Sequence, residues 1–237
     1  MKILLTSGGT KVPIDEVRHI ANMSSGTFGT KIGTECLNRG HDLYFMASKD
    51  SKTPTKFTYD FNKNSREFIT TEVIKNAIWH ESISSRYAEV TYTSFDDYLE
   101  TLKDFIEIGR IDAIILAAAV SDYGCVPHVG KVKSKENMTI DLFPLPKIIS
   151  KVKNEWGYKG ILVGFKLLVG SDEETLIDAA HDSVIKNGCD FVVANDLHDL
   201  KKNNHKIILV DDMGADHVCK EESVSSILNR IEGLNLR

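Results

Sequence analysis

The chain has 237 residues, 42% hydrophobic and 27% charged, the balance of a sequence that buries a core, which excludes a disordered or fibrous polymer. Its formal net charge is −5 and its lysines are scattered, which excludes a nucleic-acid binder resting on a broad basic surface. Cys36, Cys125, Cys189 and Cys219 form no CxxC pair and have no histidine at zinc-ligand spacing, so all four read as reduced thiols. The amino terminus is too short in apolar residues for a signal peptide or a membrane span, and the expected location is the cytoplasm, away from membranes. A single domain over residues 1–237 is the expectation, because α/β domains reach this length undivided.

Residues 2–6 form a β-type run that stops at Ser7, Gly8 and Gly9, the punctuation of a buried strand that ends in a turn. After an irregular stretch, 27–39 reads as a helix closed by Gly40, and 43–47 as the second strand. Residues 48–70 carry no clear period, while 71–85 reads as a helix. A strand over 89–93, a helix over 95–108 and a continuous apolar run over 111–120 then compose a β-α-β unit. Residues 121–146 are rich in turn formers, with an excursion strand over 138–143. Beyond them come a helix at 148–152, a strand at 160–165, a helix at 173–186, strands at 191–194 and 207–210, and a helix at 222–231. This alternation predicts an α/β chain, Rossmann-like, with a mostly parallel sheet covered by helices on both faces and one loop or strand excursion.

The candidate site residues cluster at predicted strand ends. Gly8 and Gly9 follow the first strand directly, where the lack of Cβ lets backbone amides approach a phosphate; a plain glycine turn is the bland alternative. Arg18 and Asn22 precede Ser24, Ser25 and Gly26, where a serine can cap the next helix and the helix start can receive an anion. Ala117, Ala118 and Ala119 close the apolar run ahead of Asp122, which is placed to orient a ribose or base, or to hold Mg²⁺. Lys131, Lys133 and Lys135 alternate on a loop and can neutralise phosphate charge, unless they are only a solvated face. Pro146 suits the first position of a helix. Phe165 serves equally as core or as a platform for a base.

The spacing matches neither a Walker A loop nor a GxGxxG fingerprint, since the glycines fall at 8, 9, 26 and 29. The second strand ends at Ala47-Ser48 and Lys49 follows, so the carboxylate that grips an NAD ribose is missing. A nicotinamide-dependent reductase is therefore disfavoured, and a non-catalytic nucleotide-binding protein is the other alternative.

Read in order, TSGGT, VRHIANMSSG, AAAVSDY, KVK, LPKII, GFK and VAND resemble phosphopantothenoylcysteine synthetase along essentially the whole chain. That family forms the carboxy-terminal half of a bifunctional flavoprotein in many bacteria and is free-standing in others; the likeness here is to the free-standing form, with no FMN expected. The resemblance implies a ligase of coenzyme A biosynthesis. The carboxylate of 4′-phosphopantothenate would attack the α-phosphate of CTP or ATP in the presence of Mg²⁺, and the amine of L-cysteine would displace the nucleotide. It further implies that Asn22 holds the acyl-nucleotide and that Arg18 binds an acid group across a homodimer interface. Ala118, Ala119, Asp122, Pro146, Lys147, Ile148, Ile149 and Phe165 would surround the nucleotide, with Lys131 and Lys186 as basic positions. A separate decarboxylase would act next. One departure stands out: Ala180, His181, Asp182 and Ser183 occupy a stretch where relatives carry a further lysine, which bears on nucleotide choice.

Overall fold

The computed structural model describes residues 1–57, 64–133, 138–201 and 206–236. Six strands make the parallel part of one sheet: β1 (Lys2–Ser7), β4 (Asp42–Ser48), β5 (Tyr87–Tyr92), β6 (Ala113–Leu116), β9 (Ile161–Leu168) and β10 (Phe191–Asp196). Two more, β11 (Ile207–Val210) and β12 (Ala215–Val218), extend it antiparallel. The spatial order is β12-β11-β10-β9-β6-β1-β4-β5. Chain order therefore runs outward from β1 in one direction, then returns and continues from β6 in the other. The reversal lies between β1 and β6, and open α/β sheets bind ligands in the crevice at that point.

Alternation along each strand divides the core between two faces. Ile3 and Leu5 point to one side with Ala113, Ile115, Phe191 and Val193, where α1 (Thr27–Asn38) and α7 (Ser223–Asn235) pack. Leu4, Ile114, Leu116, Val192 and Ala194 point to the other, against α3 (Phe95–Ile108), α4 (Ile148–Asn154) and α5 (Glu173–Asn187). Strands buried on both faces need a continuous apolar stretch, and Ile3 to Leu5, Ala113 to Leu116 and Phe191 to Ala194 supply it.

Helix ends follow local chemistry. Ser94 and Asp97 form a reciprocal capping box at the start of α3. At the end of α1 the N–H groups of Gly40 and His41 donate to the carbonyls of Leu37 and Cys36, a Schellman closure with Gly40 at φ 83°.

Several boundaries differ from expectation. The run predicted over 111–120 pairs as strand only through Leu116, because Ala117 to Val120 leave the ladder to build the site. The stretch read as irregular holds a small hairpin, β2 (Lys11–Pro13) with β3 (His19–Ala21). The excursion strand reduces to β8 (Phe143–Pro144), paired with β7 (Tyr123–Gly124). Helix α2 starts earlier than expected, at Arg66–Ile83, behind the Ser65 cap. Two unpredicted elements, α6 (Leu197–Lys201) and β12, lie in polar sequence without alternation. Among the described residues no helix is long and apolar enough to cross a membrane.

Candidate functional site

The ends of β1 and β6 are sewn together. Gly9 and Ala119 form an isolated parallel bridge, Ala119 N–H donates to the Gly8 carbonyl at 2.7 Å, and Thr10 N–H donates to the Ala119 carbonyl at 3.3 Å. Position 8 has to be glycine. Its φ is +88°, and a Cβ there would sit 2.2 Å from Ser48 Oγ and 2.9 Å from Ser51 Cβ. Hydroxyls brace the seam: Thr10 Oγ1 accepts from Ser121 N–H at 2.8 Å and donates to Ser121 Oγ at 2.9 Å. Tyr98 donates its phenol to Thr6 Oγ1 at 3.1 Å, and burial raises its pKa, which keeps it a donor.

Beside this seam lies a cleft of about 180 Å³ walled by Ala118, Val120, Ser121, Asp122, the turn from Pro146 to Ile149, Phe165 and Tyr98. Four segments distant in sequence meet here, and they include seven of the residues expected to surround a nucleotide. Phe165 packs its ring edge-on against Phe28, with centroids 6.1 Å apart, and also walls the cleft. At the mouth, Lys147 Nζ reaches Asp122 Oδ1 at 2.5 Å, and both side chains are well exposed. No group of three or more His, Cys, Asp or Glu side chains placed to hold a metal occurs among the described residues. Asp122 alone suits a magnesium ion bound chiefly by substrate phosphates, the usual arrangement for that ion.

Asn22 stands on the other side of the seam. Its Nδ2 donates to the carbonyls of Ala119 and Val120 at 3.3 and 3.2 Å. Both neighbours are acceptors, so the amide has to turn its NH₂ towards them, and Oδ1 remains available to accept from a ligand hydroxyl or N–H.

The expected serine cap is corrected. The N-cap of α1 is Gly26, at φ 74° with no side-chain cap bond, while Ser25 Oγ lies 2.9 Å from Thr27 Oγ1. Position 26 is closed in by Ser51 Cβ at 2.9 Å and Ser7 Oγ at 3.0 Å from a would-be Cβ, so the tight turn is taken by glycine. Without a side-chain cap, the first-turn N–H groups of a 12-residue helix are left for an anion.

An arm leaves the same sheet edge. It is made of the β2–β3 hairpin and residues 121–133, which run alongside each other. Cys125 Sγ donates to the Pro13 carbonyl at 3.2 Å, His128 N–H to the Ile14 carbonyl at 2.8 Å, and Gly130 N–H to Glu16 Oε1 at 3.0 Å. Arg18 is held inside the arm: its Nε and Nη2 both contact Asp15 Oδ2, and Nη2 also donates to the Val132 carbonyl at 3.0 Å. The Arg18 guanidinium lowers the Asp15 pKa far below the carboxylate range, and Asp15 raises that of Arg18. Lys131 and Lys133 are exposed on this arm and do not wall the cleft, and Ser134 and Lys135 lie outside the described residues.

Lys186 is not brought to the cleft. It lies in the last turn of α5, at the amino-terminal edge of the sheet, where Asn154 Nδ2 donates to its carbonyl. A helix that follows a parallel strand descends to the opposite edge, so this placement follows from topology. A larger hollow of about 280 Å³ between α5, β10 and β12 contains Asn195 and Asp196 of the VAND segment, but its Glu173, Asp196 and Asp199 carboxylates suit a triphosphate poorly. Sequence reading missed Tyr98, the Thr10–Ser121 brace and Asp15. Only Asp15 left a signal, an aspartate three residues ahead of an arginine, the spacing of a local side-chain turn.

Comparison with known proteins follows the same outline. The family described as DNA/pantothenate metabolism flavoprotein C-terminal domain matches residues 1–83 and 82–234. The Coenzyme A biosynthesis bifunctional protein CoaBC of Thermococcus kodakarensis is 33% identical over 88% of this chain, which spans 44% of that protein's length. Phosphopantothenate–cysteine ligase 1 of Oryza sativa subsp. japonica is 29% identical over 98% of this chain and 77% of its own. Among solved structures, the DNA/pantothenate metabolism flavoprotein from Streptococcus pneumoniae superposes with a TM-score of 0.79 at 28% identity, covering 99% of both chains. A Cab2 mutant in complex with phosphopantothenate-cysteine superposes at 0.83 over 99% of this chain and 86% of that one; at 24% identity this likeness concerns the fold.

Proposed function

Because the chain belongs to the DNA/pantothenate metabolism flavoprotein C-terminal domain family, we propose that it is a phosphopantothenate–cysteine ligase that activates a carboxylate with a nucleoside triphosphate. The observation that carries this reading is the convergence of Ala118, Asp122, Pro146 to Ile149 and Phe165 in one cleft at the point where the strand order reverses.

The carboxylate oxygen of 4′-phosphopantothenate attacks the α-phosphorus of CTP or ATP. The bond from that phosphorus to the bridging oxygen breaks, and pyrophosphate leaves. The amine of cysteine then attacks the acyl carbon, loses a proton and expels the nucleoside monophosphate, leaving an amide. The protein's work here is positioning and electrostatics. Phe165 and the Pro146 turn hold the base and ribose. The uncapped start of α1 and Lys131 face the anionic groups, and Asn22 Oδ1 accepts a hydrogen bond from the acyl-nucleotide. Asp122 would hold a magnesium ion brought with the triphosphate, and that ion would supply charge neutralisation.

A homodimer is part of this proposal. It is supported by the exposed apolar side chains gathered on the arm, Val17, Ile20, Met23, Val126 and Val129, of which Met23 and Val129 are fully exposed. Within the described residues the Arg18 side chain bonds through Nε and Nη2, and Nη1 is the atom we assign to an acid group at a neighbouring protomer's site. Pyrophosphate release is the test, measured with 4′-phosphopantothenate, Mg²⁺ and either CTP or ATP, with and without L-cysteine. Cysteine-dependent turnover is expected and names the nucleotide. Absence of turnover with both from folded protein overturns the reading in favour of a non-catalytic nucleotide-binding protein.

A further inference from the structure

The Asp15 carboxylate is buried, although the segment that carries it is mostly exposed. Five donors converge on its two oxygens. Oδ1 accepts from the N–H groups of Val17 and Arg18, at 3.0 and 2.8 Å. Oδ2 accepts from Nε and Nη2 of Arg18 and, across the arm, from the N–H of Val132 at 3.1 Å. Arg18 then completes a two-point hold on the same residue by donating Nη2 to the Val132 carbonyl. Both backbone polar groups of Val132, its N–H and its carbonyl, are thus gripped by one Asp15–Arg18 ion pair, and Val132 is the residue between Lys131 and Lys133. The other contacts across the arm are backbone bonds, the bond from Cys125 Sγ to the Pro13 carbonyl and the exposed Glu16 side chain, which accepts from Gly130 N–H at 3.0 Å. A buried carboxylate with charge-assisted bonds is the stiffest element in this set.

From this geometry we propose that Asp15 is the positioning residue for the lysine loop. It acts through Arg18 and the Val132 peptide to set Lys131 where it meets the phosphates of the nucleotide. The inference rests on the ligase reading for the purpose of the loop, but the pinning itself does not depend on it. A loop carrying two lysines in solvent would otherwise sample many positions, and neutralising charge that develops on a phosphate needs a cation already in place, without reorganisation during the reaction. Asp15 touches no substrate in this scheme. Its effect reaches the nucleotide only through the residues it holds.

Two measurements test it on the full-length protein. The first is limited trypsin cleavage after Lys131 and Lys133, with cleavage after Lys153 in α4 as internal control. Asp15→Asn is expected to speed cutting in the loop about tenfold and leave the control unchanged, because proteolysis follows the population of the open segment. The second is a double-mutant cycle on the pyrophosphate-release step, read as kcat/KM for the nucleotide. Asp15→Asn and Lys131→Gln are each expected to lower it about thirtyfold, while Asp15→Asn added to Lys131→Gln lowers it less than about threefold further. Unchanged trypsin cleavage, or effects that multiply independently in the cycle, would overturn the proposal. If the parent protein gives no turnover, the ligase reading falls and the trypsin comparison alone decides whether Asp15 pins the loop. Should Asp15→Asn not fold, Arg18→Lys, which keeps the charge and loses the guanidinium fork that grips Asp15 and Val132, provides the trypsin reading: faster loop cutting is expected, and unchanged cutting would overturn the pinning.

Discussion

The sheet and the arm are held together by different physics. In the sheet, Ile3, Leu4, Leu5, Ile114, Ile115, Val192 and Val193 are all fully buried, and each contributes a share of a redundant apolar contact. In the arm, Val12 and Cys125 are buried while Val17, Ile20, Met23, Val126 and Val129 lie open to solvent, so its coherence depends on a few hydrogen bonds and one ion pair. Burial of this kind is non-directional and tolerant of small changes. A polar clasp depends on particular atoms. Substitutions in the sheet should therefore lower stability with the chemistry intact, whereas substitutions in the arm and seam should lower the chemistry with stability nearly intact.

The largest expected effect on the sheet side is Leu5→Ala, which removes a fully buried side chain from β1 and should cost about 3 kcal/mol of stability. The drop is read as a lower denaturation midpoint, with kcat per folded molecule unchanged; a loss of kcat at a temperature where the variant is folded would break the division between regions. On the other side, Asn22→Ala should leave the melting temperature within a few degrees of the parent and lower cysteine-dependent amide formation about a hundredfold. Unchanged turnover would remove Asn22 from the site.

Thiol reactivity sharpens the contrast. Burial pushes the Cys36 thiol, under the sheet's α1 face, up to about 12, so alkylation at neutral pH should be negligible there without unfolding. Cys125 is buried in the arm, where it bonds to the Pro13 carbonyl. It should react faster than Cys36 and slower than the exposed Cys219, and equal rates at Cys36 and Cys125 would mean that the arm is as firm as the sheet.

The smallest effect concerns pH. Arg18 holds the Asp15 carboxyl below its unfolded value, so its contribution is fully present above about pH 4 and is lost only as pH falls through the lower folded value. Loop cleavage by a protease active in mild acid should stay flat between about pH 5 and 7; a rise there would mean that something other than the Asp15 carboxylate controls the clasp.

Most strands and helices were legible because each has a strong local signal. Helix α3 covers the expected 95–108, and the apolar runs of β10 and β11 fall where their pattern places them. The hairpin from Lys11 to Ala21 was not legible, since strands of three residues are too short to show a period. The α1 cap was misjudged for a related reason. Serine is the better local cap, but crowding by Ser7 and Ser51, one from β1 and one from beyond β4, selects glycine at position 26.

By itself, then, the sequence determined the alternation of strand and helix and the buried sheet, because local propensity and hydrophobic period are properties of neighbouring residues. The tertiary structure alone decided that β6 lies next to β1, that Pro146 to Ile149 and Phe165 face Ala118 and Asp122, that Lys186 lies at the opposite edge, and that Asp15 grips Val132. Those are contacts between residues far apart in the chain, and they exist only once sheet order has brought them together.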